Sequence, residues 1–350
     1  MADVAARAGV SIKTVSRVLN GEPHVHPDMR AKVQRAVDAL GYVPSAAARS
    51  LRSRRTYSIL LVAQAVPTSY GSAVQFGVLQ ACQRAGYHMR SSMLTEETLA
   101  DEALLRVWRD TILQRGAPDG VVLQPPMSNH AGLAAILAEM EVRVVRIGPN
   151  RVPAQPGDLT LRIDDRAAAR AVTEHLLTLG HRRVAFLRGK EAQDATAERH
   201  AGFSGAMEAA GLGEGGALVL QGDFEFESGL AAGERLTATG GAERPSAVFA
   251  ANDAMAAGVM IAAHRAGLDL PGDLSVAGFD DDDIASKTWP PLTTVRQPIL
   301  EMARLAAETL AMSAGQAEAA GLTGERVFEH ELILRASTAP PGRAPSITAR

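Results

Sequence analysis

The sequence predicts an α/β protein carrying a small all-α head. Three observations predict it. From about residue 57 to 338, short apolar runs alternate with helical stretches; three short helix patterns precede that region; and a Pro/Gly-rich segment, GPNRVPAQPGD at 148–158, divides the alternating region into two similar halves. At 350 residues, 46% hydrophobic and 21% charged, the chain holds core material for two or three domains. Its one cysteine, Cys82, excludes an intrachain disulfide framework or a cysteine-rich zinc site. The N-terminus, MADVAARAGVS, lacks the apolar core of a signal peptide, and no run of about 18 apolar residues occurs elsewhere. A soluble cytoplasmic protein without a membrane partner is therefore expected.

The head comes first along the chain. DVAARAG places Val4, Ala5 and Ala8 on one face of a helix stopped by Gly9. SIKTVSRVLNG restarts a helix, with Ser11 as N-cap and Val15, Val18 and Leu19 facing inward. A third follows in PDMRAKVQRAVDALGYVP, where Met29, Val33, Val37 and Leu40 form the apolar stripe before Gly41 and Pro44. Two short helices around a tight turn with a supporting helix make a helix-turn-helix. In the second helix Ile12, Lys13, Thr14, Ser16 and Arg17 remain outside the core, the long ones suited to a major groove and the hydroxyls to phosphates.

Charge separates this head from the rest. Residues 1–56 hold ten Lys or Arg against four Asp or Glu, a net +6, which leaves −9 for the remainder of a chain of net −3. A basic head on an acidic body is what polyanion binding at one end requires. The head ends in PSAAARSLRSRR, Pro44 to Arg55, a helix start with one large apolar residue, Leu51, and too few residues to be stable alone.

In the body, YSILLVA, GVVLQP, VRVVRIG, RVAFLRG, SAVFAAN and LSVAGFD read as strands, with helices at 73–85, 100–115, 166–179, 197–210, 228–239 and 253–266. Such alternation builds parallel sheets with helices on both faces. Ligands in open α/β sheets sit beyond the carboxyl ends of strands. Asn252 and Asp280 end two strands, Arg199 opens the helix after a third, and Tyr70 lies in the loop after the first. Arg donates, Asp accepts and Asn does both, a set suited to sugar hydroxyls.

Enzyme signatures are incomplete. The run Asp280-Asp281-Asp282-Asp283 would need glycine and glutamate where Ala285 and Pro291 stand to be a calcium loop. GFSGA has Ala206 in the second glycine place of a nucleophile elbow, and RGK at 188–190 lacks the rest of a phosphate loop. No catalytic role, metal or cofactor is expected.

DVAARAGVSIKTVSRVLNG and GYVPSAAARSLRS, followed in order by LGHRRVAFLRG, ERHAGF, GDFEFESG, PSAVFAANDAMAAG, LSVAGFDD and PPLTTVRQP, resemble the LacI-type (lactose-repressor/galactose-repressor) family of bacterial transcriptional regulators from about Asp3 to Thr338. In typical members the head begins about three residues earlier; here Met1 fills the apolar place or the true start lies upstream. The resemblance implies a helix-turn-helix DNA-binding domain (1–44), a hinge helix (45–56) and a two-lobed, type I periplasmic-binding-protein-like effector-binding and dimerisation domain (57–338). Lobe 1 would span about 57–157 and 291–319, lobe 2 about 158–290 and 320–338. A disordered tail (339–350), Pro-rich and without apolar heptads, would follow, so a homodimer is expected.

The resemblance further implies base contacts from Ile12, Lys13 and Arg17, DNA backbone contacts from Ser11, Thr14, Ser16 and Asn20, and a hinge in the minor groove with Leu51 wedged between base steps and Arg49 and Arg52 near phosphates. A small-molecule effector, expected to be a sugar or sugar derivative, would meet Tyr70, Arg199, Asn252 and Asp280, with Phe249 as an apolar wall. The chain would then be a nucleoid-associated repressor in the bacterial cytoplasm. The alternatives are a purine-type regulator that needs a corepressor and a solute-binding protein. Many members place an acidic residue at the end of the strand at 142–148, where this chain offers Arg146 or Asn150. Arg146 would attract an acidic or phosphorylated sugar if it faces the ligand, and otherwise face solvent.

Overall fold

The computed structural model describes residues 1–19, 25–42, 55–148, 155–239 and 243–342. Asn20, Arg49, Leu51, Arg52, Asn150 and the residues after 342 lie outside the described residues. The chain separates into two compact units, Met1–Tyr57 and Ser58–Arg350.

The first unit holds three helices, α1 (Ala2–Ala8), α2 (Ile12–Leu19) and α3 (Pro27–Leu40). Gly9 ends α1 at φ 64, a left-handed turn that costs glycine nothing. Ser11 then caps α2, its hydroxyl accepting the Thr14 N–H at 3.1 Å. Val4, Ala5, Val15, Val18, Val33 and Ala36 form the core. Two expectations are corrected. In α3, Met29 and Leu40 are exposed, and Ala36 is buried instead, because the inward stripe runs through 33, 36 and 37 and Met29 and Leu40 sit on its flanks. In α2, Ser16 is only 6% exposed, since it lies three residues before Leu19 on the flank that packs inward.

Along the second unit come β1 (Ser58–Gln64), α4 (Ser69–Ala85), β2 (His88–Leu94), α5 (Glu102–Gln114), β3 (Gly120–Leu123), α6 (Ala131–Glu139), β4 (Val144–Ile147) and β5 (Leu159–Ile163). Next are α7 (Asp165–Thr178), β6 (Val184–Arg188), α8 (Asp194–Ala209), β7 (Ala217–Gln221), α9 (Phe226–Ala238), β8 (Ala247–Ala250), α10 (Asp253–Arg265), β9 (Ser275–Ala277) and β10 (Thr294–Arg296). The unit closes with α11 (Ile299–Ala311), β11 (Gly324–Phe328) and β12 (Glu331–Ile333). No helix among the described residues is long and apolar enough to cross a membrane.

Two parallel sheets result, as the alternation predicts. The first has the order β11-β5-β4-β3-β1-β2 and the second β7-β6-β8-β9, while β10 and β12 form an antiparallel pair. The central strands β1, β3 and β4 are nearly continuous runs of Val, Ile and Leu because both sheet faces are covered. The edge strands β2 and β11 are largely polar and exposed, which is why an apolar-run reading passes over them.

The lobe limits are also corrected by the pairing. β5 extends the first sheet, so the chain crosses to the second lobe after Ile163 rather than near 157. Isolated bridges Ala277–Thr293 and Asp280–Arg296 tie β10 to the second lobe, so the return follows Arg296 rather than residue 290. β11 pairs with β5 at the first sheet's edge, and the last crossing follows Phe328 rather than residue 320. Backbone hydrogen bonding, not the Pro/Gly-rich segment, sets where each lobe ends.

Close helix packing supports the second lobe. α9 crosses α10 where Gly229 meets Gly258: a Cβ at Gly229 would lie 2.1 Å from the Met255 carbonyl oxygen, and one at Gly258 would lie 2.4 Å from that of Phe226. Only hydrogen fits at this crossing, which seats the first turn of α9 directly against α10.

Candidate functional site

A cavity of about 250 Å³ opens between the two lobes at the carboxyl ends of the strands. This is the topological position at which open α/β sheets bind ligands, and its size suits a small molecule. From the first lobe it is lined by the segment after β1, including Ser69 and Tyr70, and by Gln124 at the end of β3. The second lobe contributes Arg199, Asn252, Asp280 and the loop 223–227, and Gln297 enters from the crossover after β10.

Arg199 is the anchor of this wall. It is 5% exposed, and its Nε donates to Asp165 Oδ1 at 2.8 Å while Nη1 donates to the Ala251 carbonyl at 2.5 Å. Its guanidinium carbon lies 3.6 Å above the Phe279 ring, and Asp280 Oδ1 stands 3.6 Å from Nη1. Stacking on one face and pairing at the edge hold it in one orientation.

Asp280 has φ 113 and Asp281 φ 54, backbone conformations that cost non-glycine residues on the order of 1–3 kcal/mol. Their surroundings impose them. The Asp280 N–H donates to the Val295 carbonyl, and Asp281 is gripped by Arg296 Nε at 2.7 Å and Arg335 Nη2 at 2.5 Å. Asp282 N–H donates to Asp253 Oδ2 at 2.8 Å, and Asp283 pairs with Lys287. The acidic run is thus divided among separate partners, and it turns the Asp280 carboxylate towards the cleft.

Burial raises the acids here. Asp280 is pushed up to about 7, the Arg199 charge and the Gln297 hydrogen bond offsetting part of the burial effect. Asp282 is pushed up to about 6, again chiefly by burial. Burial and the carboxylates of Asp280 and Asp165 raise the Tyr70 phenol, which therefore stays a neutral donor at physiological pH.

Tyr70, Arg199, Asn252 and Asp280 all line the cavity, Asn252 and Asp280 from strand ends as expected, Tyr70 from the first turn of α4 rather than a loop, and Arg199 from the second turn of α8 rather than its opening. Asn252 also organises the backbone around it. Its Oδ1 accepts the Met255 N–H and caps α10, while its Nδ2 donates to the Phe224 carbonyl at 2.8 Å. Phe249 is corrected. It is fully buried in the second lobe, 5.1 Å from Phe186, because its side of β8 faces the core. The aromatic wall is formed instead by Phe224 and Phe226. Phe224 (φ 72) lies against Gly189, where a Cβ would fall 2.0 Å from its ring.

Arg146 is corrected as well. It faces neither ligand nor solvent: it is 1% exposed, and its Nη1 donates to Asp158 Oδ2 at 2.9 Å. Gln124 and Gln297 join the cavity wall without having been expected there. Gln124 follows an apolar run just as Asn252 does, so the strand-end signal applies to it too, whereas Gln297 follows no such run. Contacts across the cleft among the described residues include Asn129 Nδ2 to Asp194 Oδ2 at 2.9 Å, Lys190 Nζ to Glu96 Oε1 at 3.2 Å, and a side-chain hydrogen bond between Ser69 and Asp282.

In the head, Ile12 is 51% exposed on α2, with Lys13 and Arg17 also exposed on that helix.

Residues 1–45 match the family model described as bacterial regulatory proteins, lacI family, and residues 173–338 match the periplasmic binding protein-like domain. The chain is 31% identical to the HTH-type transcriptional regulator DegA of Bacillus subtilis over 97% of each chain. It is 34% identical to the ribose operon repressor of Escherichia coli, over 89% of this chain and 91% of that one. Among solved structures, a transcriptional regulator CelR–cellobiose complex matches with TM-score 0.70 and 31% identity, over 96% of this chain and 98% of that one. The lac repressor dimer bound to operator and the anti-inducer ONPF matches with TM-score 0.77 and 26% identity over the same shares.

Proposed function

The chain belongs to the lacI family of bacterial regulatory proteins, and from that premise we propose that it is a DNA-binding transcriptional repressor whose operator affinity is set by a sugar or sugar derivative held between its lobes. One observation carries the ligand half of this reading: Tyr70, Arg199, Asn252, Asp280 and Gln297, from separate chain segments, converge on one cavity between the lobes. The relatives named for ribose and bound to cellobiose support a sugar as its occupant.

For the DNA half, Ile12, Lys13 and Arg17 on α2 would enter the major groove. Ser11, Thr14 and Asn20 would meet the backbone, and Arg49, Leu51 and Arg52 would act in the minor groove. Ser16, being buried, is better suited to holding α2 than to meeting phosphate. A homodimer would place two such helices on a near-palindromic operator, and the dimeric lac repressor is a structural neighbour. The domain limits proposed are a head to about residue 44, a hinge to 56 and the sensor beyond it. Ligand binding changes operator affinity only by as much as it prefers one lobe arrangement over another.

Selection of genomic fragments by the full chain, followed by gel-shift titration, tests the proposal. Lys13→Ala with Arg17→Ala should weaken binding to the selected fragment by at least about tenfold while leaving ligand-induced thermal shifts intact. Equal affinity of the variant and the wild type for that fragment would sink it.

A further inference from the structure

The charge balance of the cleft is one-sided. Asp280 and Asp282 line it from one strand end, and Asp223, Glu225 and Glu227 line it from the loop entering α9 and that helix's first turn. Two cations face them, Lys190 and Arg199, and both are engaged. Arg199 is held by Asp165, the Ala251 carbonyl and the Phe279 face, and Lys190 pairs with Glu96 at 3.2 Å.

The loop carboxylates have no ion pair among the described residues. They crowd one another instead. Burial and the Asp223 charge push Glu225 above the ordinary carboxylate range, with Lys190 offsetting only part of this. An independent sign comes from the opposite wall. Gln124 is 5% exposed, lines the cavity, and its Oε1 has no hydrogen-bond partner among the described residues. A buried acceptor without a donor is destabilising, and a ligand donor would relieve it.

We propose that the cleft takes a polyhydroxylated ligand carrying positive charge, an amino sugar, in preference to the neutral sugar of the same skeleton, and refuses its acid or phosphorylated counterpart. The proposal rests on the reading of this cavity as a sugar site. An ammonium brings three donors and no acceptor to walls dominated by acceptors. An anion would meet the carboxylates at short range, where Arg199 and Lys190 already face carboxylates of their own, and such like-charge contact is an effective means of discrimination.

Isothermal titration of the full chain with matched series tests it: glucose, glucosamine, glucuronate and glucose 6-phosphate, and the same four forms of galactose and mannose. The expected result is that the amino member of one series binds roughly tenfold more tightly than its neutral member, the difference made by a charge-assisted hydrogen bond. The acid and phosphate members should give no heat at the same concentrations. Glu225→Gln should reduce the amino-to-neutral ratio, and so should raised salt. An acid or phosphate member binding as well as the neutral one, or equal binding of amino and neutral members, overturns the inference and leaves the sugar-sensor reading standing. Binding by no member of any series, nor by ribose or cellobiose, with no shift in melting temperature, would overturn the sugar-sensor reading and this inference with it.

Discussion

Gln297 donates its Nε2 to Asp280 Oδ1 at 2.6 Å, joining the crossover between the lobes to a carboxylate of the cleft. Gln297 lies on the path by which the chain returns to the first lobe, one residue after β10 ends at Arg296. Any movement of the lobes that shifts this crossover therefore acts on the ligand wall. The bond also stabilises the charged form of Asp280 against burial. Replacing Gln297 by Leu should raise the pH at which Asp280 ionises, read by carboxyl-carbon NMR titration, and shift the pH profile of ligand binding upward. An unchanged Asp280 titration would show that the bond does not tune it.

The raised acids have a sign in stability. Asp280 titrates at about 7 and Asp282 at about 6 in the folded chain, against roughly 3.9 unfolded. Between those values the folded state holds more protons than the unfolded state, so their contribution is fully present below about pH 4 and is lost as pH rises to about 7. Other groups titrate over the same range, so the informative quantity is the difference between wild type and Asp280→Asn. Asparagine keeps the shape and tolerates the left-handed backbone. The stability of the wild type relative to this variant should fall as pH is raised from about 4 to about 8 in urea unfolding.

Removing Arg199 leaves Asp165 buried without its cation. Asp165 is 2% exposed, its Oδ1 depends on Arg199 and its Oδ2 has no hydrogen-bond partner among the described residues. Arg199→Met should cost about 3–5 kcal/mol of stability, measured by denaturant unfolding. Adding Asp165→Asn should recover part of the loss, because the orphaned charge is then gone. Additive losses in the double variant would argue against the pair.

The α9–α10 crossing admits no side chain at Gly229. Gly229→Ala sets a methyl 2.1 Å from the Met255 carbonyl oxygen, a backbone atom that cannot rotate away. The helices must separate, at a cost of about 1–3 kcal/mol. Because α9 carries the loop with Phe224 and Glu225, ligand affinity should fall as well. A drop in melting temperature without weaker ligand binding would show that the loop is held independently of the crossing.

Local order is legible along the chain because it depends on neighbours in sequence. Gly9 and Gly41 stop helices where left-handed turns form, and Ser11 caps α2 through a residue three positions away. β1, β3, β4, β6, β8 and β9 follow from apolar runs, since strands covered on both faces must be apolar throughout. The edge strands β2 and β11 carry polar residues and are invisible to that signal. The carboxyl ends of strands point to Tyr70, Arg199, Asn252 and Asp280 for the same reason of topology.

The basic three-helix head, the alternation that builds two parallel sheets and the polar residues at strand ends all follow from residue order alone. Which side chains face the cleft and which face the core depends on how distant segments pack together. Phe249 and Arg146 stand in apolar runs whose spacing does not say which side of the sheet is packed. Phe249 turned into the core against Phe186, and Arg146 found Asp158, twelve positions further along the chain. Phe224, Gln124 and Gln297 reached the cavity because the lobes close over it, bringing together side chains from segments that share no local period. Backbone propensity acts over a few residues, whereas burial and charge pairing are settled only when distant segments meet.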